Sequence, residues 1–304
     1  MGGGSWDSKK FRDYTSSTKM GVSFSVDGSY TTTGGHQEIF KKRSLDSRLN
    51  PYKVIRECRD SEEHPNTIPV ILALDVTGSM GQAAVDCAQK LNVIMTKLYE
   101  EVKDVEFMIM GIGDFAYDAS PLQASQFESD IRIAEQLDAL FFEFGGGGNS
   151  YESYTSAWYF GLKHTDLDCW KRGKKGIIIT MGDERLNPYI PKEGMRTTIN
   201  KVLGDTPQAD VETEDLYKLT CEKFNVYHIN VIHDIYPDNG IPNSFKILGQ
   251  RFREATIDKL SDEIVAIVKD AVENDSAESS VASADISKPI VTGVETNEKG
   301  EVTW

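Results

Sequence analysis

Apolar residues are grouped along this chain into short uninterrupted runs, and the clearest of these runs stop at glycine or an acidic residue. The three clearest begin at Ile68, Val105 and Ile177, and they lead into Asp75, Asp114 and Asp183 respectively. A continuous apolar run bounded by turn residues is typical of a strand buried on both faces of a parallel sheet. A further run over 224–232 is rich in Val and Ile. The sequence therefore predicts several strands of one buried sheet.

Between these runs the apolar residues recur at spacings of three and four, which predicts amphipathic helices. The predicted helices span 85–102, 129–140, 152–163, 191–202, 216–224 and 257–272. Strands that alternate with helices form a mainly parallel sheet covered on both faces, so the predicted fold class is α/β, a Rossmann-like three-layer sandwich over residues 68–272. Ligands of such sheets bind beyond the carboxyl ends of the strands. The acidic ends of the apolar runs are predicted to lie there.

The segment 1–67 precedes this domain and has a different character. Residues 22–33 alternate on both sides of an Asp-Gly pair, which predicts a β hairpin. The polar residues up to about Lys19 are expected to be mobile. An Asn-Pro pair at 50–51 is typical of a helix start, so a short helix is predicted from there to about Cys58.

The segment 273–304 follows the domain and is rich in Ser, Ala and acidic residues, which predicts a flexible acidic linker. Residues 290–295 and 301–304 flank a turn sequence and predict a terminal hairpin. Because an isolated hairpin is marginally stable, it would pair with the domain or extend the sheet of a partner. The alternative is a disordered acidic tail.

The composition narrows the classes of partner. The chain of 304 residues carries a formal net charge of −15, so no nucleic acid partner is expected, because like charges repel. No apolar run approaches the roughly 20 residues that span a bilayer, and the start of the sequence does not resemble a secretory signal. The four cysteines are far apart, as is typical of free thiols in a reducing compartment. We therefore expect a cytoplasmic protein without a membrane partner.

The loop after the first apolar run carries the clearest chemical signal. Asp75, Thr77 and Ser79 alternate through it and offer one carboxylate and two hydroxyl oxygens. Oxygen ligands of this kind suit Mg²⁺, Mn²⁺ or Ca²⁺ rather than zinc. The alternative interpretation is a strand-ending turn that caps the next helix, since Asp, Thr, Gly and Ser are common turn residues.

The spacing Asp-x-Thr-x-Ser resembles the first motif of the metal-ion-dependent adhesion site (MIDAS) of von Willebrand factor type A domains. The glycine run 145–148 with Asn149 and Glu152 resembles the second loop of such a site. Asp183, after the third apolar run, resembles the aspartate of the third loop. The resemblance covers about residues 68–270.

This resemblance implies a divalent cation site, with Mg²⁺ expected and Mn²⁺ or Ca²⁺ as alternatives. The implied metal ligands are Asp75, Thr77, Ser79, Asn149 and Asp183. Three more residues are expected to surround the ligands and position waters: Asp114, Ser150 and Glu152. The alternative for Asp114 is a solvated loop acid.

Two departures from the family pattern weaken the predicted affinity of the site for a divalent cation. Asn149 or Ser150 replaces the threonine that many members have in the second loop, and Gly182 precedes Asp183 where many members have aspartate before glycine. An asparagine carbonyl still ligates hard cations.

A site of this kind implies a metal-dependent protein–protein interaction module, in which the metal takes an acidic side chain of a partner. Intracellular domains of the family often work as adaptors, some beside AAA+ ATPases, so an AAA+ ATPase or an assembly component is the implied partner. One alternative is a structural protein that oligomerises or docks through its terminal extensions, and another is a metal-assisted hydrolase. No enzyme is expected, because the sequence lacks the Gly-Lys-Ser/Thr of a P-loop and the second aspartate of haloacid-dehalogenase-like phosphatases.

Overall fold

The computed structural model describes residues 4–18, 22–24, 30–32, 42–78, 80, 86, 90, 93–100, 102–143, 149–232 and 240–284, and all that follows concerns these residues. The central sheet has six described strands: β1 (Ile68–Asp75), β2 (Val105–Ile112), β3 (Leu122–Glu128), β4 (Gly176–Gly182), β5 (Phe224–Ile232) and β6 (Phe252–Thr256). Their spatial order is β6-β5-β4-β1-β2-β3. All neighbours are parallel except β3, which runs antiparallel to β2.

This strand order places the first strand in the middle of the sheet. The chain moves outward to β3, returns to the centre, and then moves outward to β6 on the other side. The resulting order 3-2-1-4-5-6 is that of a doubly wound Rossmann-like sheet, whose ligand crevice lies where the direction reverses, between β1 and β4. The predicted α/β class with a mainly parallel central sheet is confirmed.

The strands are buried on both faces, as the continuous apolar runs predict. In β1, Val70 and Leu72 belong to the core on one face, and Ile71 and Ala73 to the core on the other. This alternation follows from the two-residue period of a strand. The sheet therefore separates two apolar cores, each of which needs a layer of helices to cover it.

Helices supply both layers. The described α-helices are Ser8–Thr18, Arg132–Asp138, Thr155–Lys163, Asp168–Lys171, Ile199–Leu203, Thr213–Cys221, Gly240–Ser244 and Leu260–Ala284, and residues 93–100 are also helical. Short 3₁₀ helices occupy Ser47–Leu49, Lys246–Arg251 and Ile257–Lys259. Leu98 and Ile264 cover one face of the sheet, and Trp158 and Leu216 cover the other. None of the helices in the described ranges combines the length and the apolar character needed to cross a membrane.

Among the described residues, four pairs of short strands lie outside the central sheet. Val22–Phe24 pairs antiparallel with Tyr30–Thr32, Arg56–Cys58 pairs parallel with Thr165–Leu167, Tyr151–Glu152 pairs parallel with Arg185–Leu186, and Tyr189–Ile190 pairs antiparallel with Val211–Glu212. The two strands of the first pair fall within residues 22–33, where a hairpin was predicted, and the residues between them lie outside the described ranges. The third pair joins the segment after the glycine run to the segment after β4.

Several sequence-based predictions of local structure are wrong. The helix predicted over 50–58 is absent there, because Lys53 has a positive φ of 54° and Arg56–Cys58 forms a strand instead. The helix predicted over 191–202 is shorter, Ile199–Leu203, because the Thr198 side chain caps its first turn by accepting the Lys201 N–H at 3.1 Å.

Other differences concern elements that were not predicted. The polar N-terminal segment forms helix Ser8–Thr18, whose Phe11 is fully buried in the core. Strands β3 and β6 were also not predicted. The last helix continues through Ala284 where an acidic linker was predicted from residue 273, because the segment contains neither glycine nor proline.

Some predictions fall on residues outside the described ranges. These are Ser79, the glycine run 145–148, the Asp-Gly turn of the N-terminal hairpin, and the terminal hairpin over 290–304.

Candidate functional site

The carboxylate of Asp75 is the centre of the candidate site. It ends β1 at the carboxyl edge of the sheet and is fully buried. Its Oδ1 accepts hydrogen bonds from the Thr77 N–H at 2.9 Å and from the Thr77 hydroxyl at 2.6 Å, and its Oδ2 accepts one from the Tyr154 hydroxyl at 2.9 Å. A carboxylate has about four lone-pair positions, and these bonds use three of them. Among the described residues, none occupies the remaining position on Oδ2.

Tyr154 fixes this carboxylate and was not predicted from the sequence. Its side chain is fully buried, its hydroxyl accepts the Glu184 N–H at 3.3 Å, and its ring packs against His228 and Phe245 with centroid distances of 4.8 and 5.8 Å. The tyrosine thus ties β1 to the loop after β4. A buried tyrosine hydroxyl generally needs a hydrogen-bond partner. This rule is the only indication in the sequence that Tyr154 contacts a polar group, and it does not identify that group.

Gly182 explains one departure from the family pattern. A Cβ atom at this position would lie 1.8 Å from the Tyr154 hydroxyl oxygen. A side chain there would displace the tyrosine from Asp75, because no heavy atom tolerates such a distance. Glycine before Asp183 is therefore a packing requirement of Tyr154.

Glu152 lies beside Asp75 and is held by a short parallel strand pair. Tyr151–Glu152 pairs with Arg185–Leu186, so the second and third predicted loops are joined directly. The Glu152 side chain is buried, and within the described ranges its Oε2 makes no hydrogen bond. Burial, and next the negative charge of Asp75, raise the pKa of Glu152 far above its ordinary value.

The electrostatics of the site are those of an acidic cluster. Burial raises the pKa of Asp75, and the nearby carboxylate of Asp183 raises it further, while the hydrogen bonds from Thr77 and Tyr154 oppose the shift. Asp183 is half-buried in the loop after β4. Like charges this close disfavour ionisation, so a cation bound between these groups would remove an electrostatic cost that the fold now bears.

Asp114 and Asp118 shape the neighbouring loop after β2. Asp114 accepts hydrogen bonds from the Ala116 N–H at 2.8 Å and the Ser153 hydroxyl at 3.3 Å. Asp118 accepts the Asp114 N–H at 2.7 Å. Burial raises the pKa of Asp118 to about 6 and that of Asp114 in the same direction. The bond from Ser153 to Asp114 therefore connects the loop after β2 to the segment two residues before helix Thr155–Lys163.

The remaining predicted residues lie at the rim. Asn149 and Ser150 are exposed, and the side-chain oxygen of Asn149 accepts the Tyr151 N–H at 3.2 Å. Asn149 also lowers the pKa of Asp114 through a side-chain hydrogen bond. The structure therefore brings Asp75, Thr77 and Glu152 together beside Asp183, with Asn149 exposed in the adjacent loop.

The oxygen atoms around Asp75 fit a hard divalent cation. Carboxylate and hydroxyl oxygens predominate, the Thr77 hydroxyl donates to Asp75, and the Oε2 atom of Glu152 is buried and accepts no hydrogen bond from the described residues. These features fit a divalent cation with oxygen ligands. No group of three or more His, Cys, Asp or Glu side chains within the described part of the chain is arranged as a metal site. Any cation would therefore depend on hydroxyl or amide oxygens as well as on Asp75 and Asp183.

The fold is similar to that of several solved structures, although the sequence has no match among family models or curated proteins. Among solved structures it is similar to the pilus adhesin SpaC from Lactobacillus rhamnosus GG, with 14% identity and a TM-score of 0.47, over 71% of this chain and 31% of the adhesin. This chain thus spans about a third of the length of that protein.

Two further solved structures are similar over comparable shares of this chain. The vWF domain of the type V pili tip protein Mfa5 from Porphyromonas gingivalis has 12% identity and a TM-score of 0.42, over 74% of this chain and 98% of that domain. Proximal thread matrix protein 1 from the mussel byssus has 13% identity and a TM-score of 0.41, over 68% of this chain and 46% of that protein.

The class of protein is defined by the chain's own topology. It is a Rossmann-like α/β domain with an acidic, oxygen-rich cluster at the carboxyl edge of its sheet, beside the point where the strand order reverses. This arrangement is consistent with the von Willebrand factor type A fold that the sequence motifs resemble.

Proposed function

We propose that this protein is a metal-dependent protein-binding module that takes an acidic side chain of a partner at the Asp75 site. The observation that carries the proposal is the buried Asp75 carboxylate, which three hydrogen bonds from Thr77 and Tyr154 hold in one orientation beside the acidic groups of Glu152 and Asp183. Burial of several acidic side chains close together is unfavourable in free energy, because they are desolvated and repel one another, unless a bound cation offsets that repulsion.

The residues of the site would have different roles in binding the cation. Asp75 and Asp183 would neutralise a divalent charge, and Thr77 would add a neutral oxygen, with Ser79 and Asn149 as further ligands. Tyr154 would keep Asp75 oriented, since its hydroxyl occupies one side of Oδ2. A cation so held supplies an open coordination position for a carboxylate oxygen from the partner. The module would then act as an adaptor.

The acidic net charge favours this dependence on metal. At −15 the chain repels an acidic surface at long range. An acidic partner group would therefore bind only where a local positive charge is supplied. Removal of the metal should abolish such binding rather than weaken it slightly.

The test is calorimetric titration of Mg²⁺, Mn²⁺ and Ca²⁺ into the wild type and into Asp75→Asn and Asp183→Asn. Glu62→Gln is the matched control, because Glu62 is an exposed acid before β1, at the opposite edge of the sheet. We expect saturable one-site binding that weakens at least about tenfold in both site variants and is unchanged in the control. Equal binding by wild type and Asp75→Asn would overturn the proposal.

A second measurement tests the partner chemistry. Surface plasmon resonance with a triglutamate peptide and its triglutamine counterpart is compared in Mg²⁺ and in EDTA. We expect preference for triglutamate in Mg²⁺ only, and loss of that preference in Asp75→Asn. Preference for triglutamate that persists in EDTA would contradict a metal-dependent mode.

A further inference from the structure

A cavity of about 230 Å³ lies at the amino-terminal edge of the central sheet, opposite the Asp75 edge. It is bounded by Ile68 at the start of β1, by Ile177 and Asn225 near the starts of β4 and β5, and by Val272 of the last helix. Ile177 is the register partner of Asn225 and of Val70. The cavity therefore sits under three adjacent strands and does not share residues with the candidate metal site.

The lining of this cavity is basic in an otherwise acidic chain. Arg172, Lys174 and Lys175 line it, and no acidic side chain from the described ranges does. Arg172 is held in place, since its guanidinium donates to the Asp60 carboxylate and, at 2.7 Å, to the Thr67 carbonyl. The ammonium group of Lys175 makes no ion pair or hydrogen bond within the part of the chain that the structure describes. A half-buried cation without an acidic partner points to an anionic ligand.

The rest of the lining is suited to an apolar body. Ile68, Ile177 and Val272 contribute aliphatic surface, and Ala271, which is buried, leaves room where a longer side chain would fill the cavity. Asn225 uses its amide oxygen to accept from Arg251 at 3.1 Å, and its amide N–H groups make no hydrogen bond to the residues that the structure describes. One part of the cavity therefore offers cations and amide donors, and the other offers hydrocarbon.

We propose that this cavity binds a small monocarboxylate with a short apolar body. The carboxylate would pair with Lys175 beside the anchored Arg172, and the apolar body would pack on Ile177 and Val272. A 150 Å³ cavity in a protein core takes a benzene molecule, so the larger volume here takes a ligand of about ten non-hydrogen atoms. This inference does not depend on the proposed metal site.

The test is isothermal calorimetry of the full chain with octanoate, its uncharged counterpart 1-octanol, and inorganic phosphate. The charge variant is Lys175→Gln. The matched control is Lys171→Gln, because Lys171 is exposed, pairs with Asp168 in the same turn, and lies outside the cavity. A size variant, Ala271→Leu, fills the cavity while keeping its charge.

We expect saturable octanoate binding that Lys175→Gln weakens about tenfold, that Lys171→Gln leaves unchanged, and that Ala271→Leu blocks. Octanol and phosphate should each bind at least about tenfold more weakly than octanoate, since each lacks one half of the recognised chemistry. Equal affinity for octanoate and octanol, equal affinity of wild type and Lys175→Gln, or no saturable octanoate binding would each overturn the proposal. Mg²⁺ titration of Lys175→Gln should match the wild type, which separates this cavity from the metal site.

Discussion

Replacement of Tyr154 by phenylalanine tests the arrangement around Asp75. The substitution removes one hydroxyl and keeps the ring that packs on His228 and Phe245. The lost hydroxyl donates to the buried Asp75 carboxylate at 2.9 Å and accepts the Glu184 N–H at 3.3 Å. Hydrogen bonds to charged groups contribute about 1.5–3 kcal/mol, against about 1 kcal/mol between neutral groups. We expect Tyr154→Phe to lower the free energy of unfolding by about 2–3 kcal/mol.

The assay is urea unfolding at pH 8.5 in EDTA, since the pKa of Asp75 is raised by burial and the carboxylate must be ionised. A double-mutant cycle with Asp75→Asn isolates the charge-assisted part. In the Asp75→Asn background, Tyr154→Phe should cost only about 1 kcal/mol, so the coupling energy should be about 1–2 kcal/mol.

Tyr159→Phe is the matched control, because its hydroxyl donates to the Asp205 carboxylate at 2.8 Å, away from the site. Tyr159→Phe should also destabilise the protein, but a double-mutant cycle of Tyr159→Phe with Asp75→Asn should show no coupling energy. A cost below about 0.5 kcal/mol for Tyr154→Phe, or a coupling energy equal to that of the control, would refute the reasoning.

Three other substitutions test separate parts of the structure. Gly182→Ala should lower metal affinity and stability together, because its Cβ would lie 1.8 Å from the Tyr154 hydroxyl; calorimetry and urea unfolding check this, and wild-type values would contradict it. Burial raises the pKa of Glu106 to about 6 from 4.5, so the ionisation of this one group lowers stability by up to about 2 kcal/mol as pH rises from about 4.5 to about 6. Glu106→Gln should make the loss of stability between pH 4.5 and 7.5 smaller than in the wild type by up to that amount in urea unfolding, and an unchanged pH dependence would be inconsistent with it. Phe11→Ala should cost about 3–5 kcal/mol if helix Ser8–Thr18 completes the core, whereas a cost near zero in thermal unfolding would show that the helix is not docked.

The buried parallel strands could be predicted from sequence because burial on both faces leaves a continuous apolar run. Residues 224–232 were predicted as a strand and form β5 without a change of bounds. A mainly parallel sheet covered on both faces then followed, since strands that alternate with helices form such sheets. Asp75 and Thr77 were predicted for a similar local reason, because an acid and a hydroxyl two residues apart lie in one loop.

Strand β3 could not be predicted because its buried positions include polar residues. Gln123 and Ser125 are fully buried. Gln123 exchanges hydrogen bonds with the Phe141 backbone at 2.6 and 2.9 Å, and Ser125 accepts the Ile109 N–H at 2.8 Å. These partners are 16 and 18 residues away in the chain, so no local pattern indicates that the side chains are satisfied inside the fold.

The same limit applies to the candidate site. Tyr154 meets Asp75 across 79 residues of sequence, and Gly182 is needed only because that tyrosine occupies the adjacent space. The sequence showed Gly182-Asp183 as a departure from a family pattern, whereas the structure gives it a steric cause. Long-range contacts of single side chains account for most of what the motifs left out.

Anomalous diffraction from crystals grown with Mn²⁺ locates the cation directly. The proposed function predicts an anomalous peak at the carboxyl edge of the sheet, at ligand distances of about 2.0–2.6 Å from oxygens that include Thr77 and Asp183, with Asp75 bound directly or through one water. The peak should be absent from crystals of Asp75→Asn. A peak at another part of the surface, or full occupancy in Asp75→Asn, would contradict a metal-dependent site at Asp75.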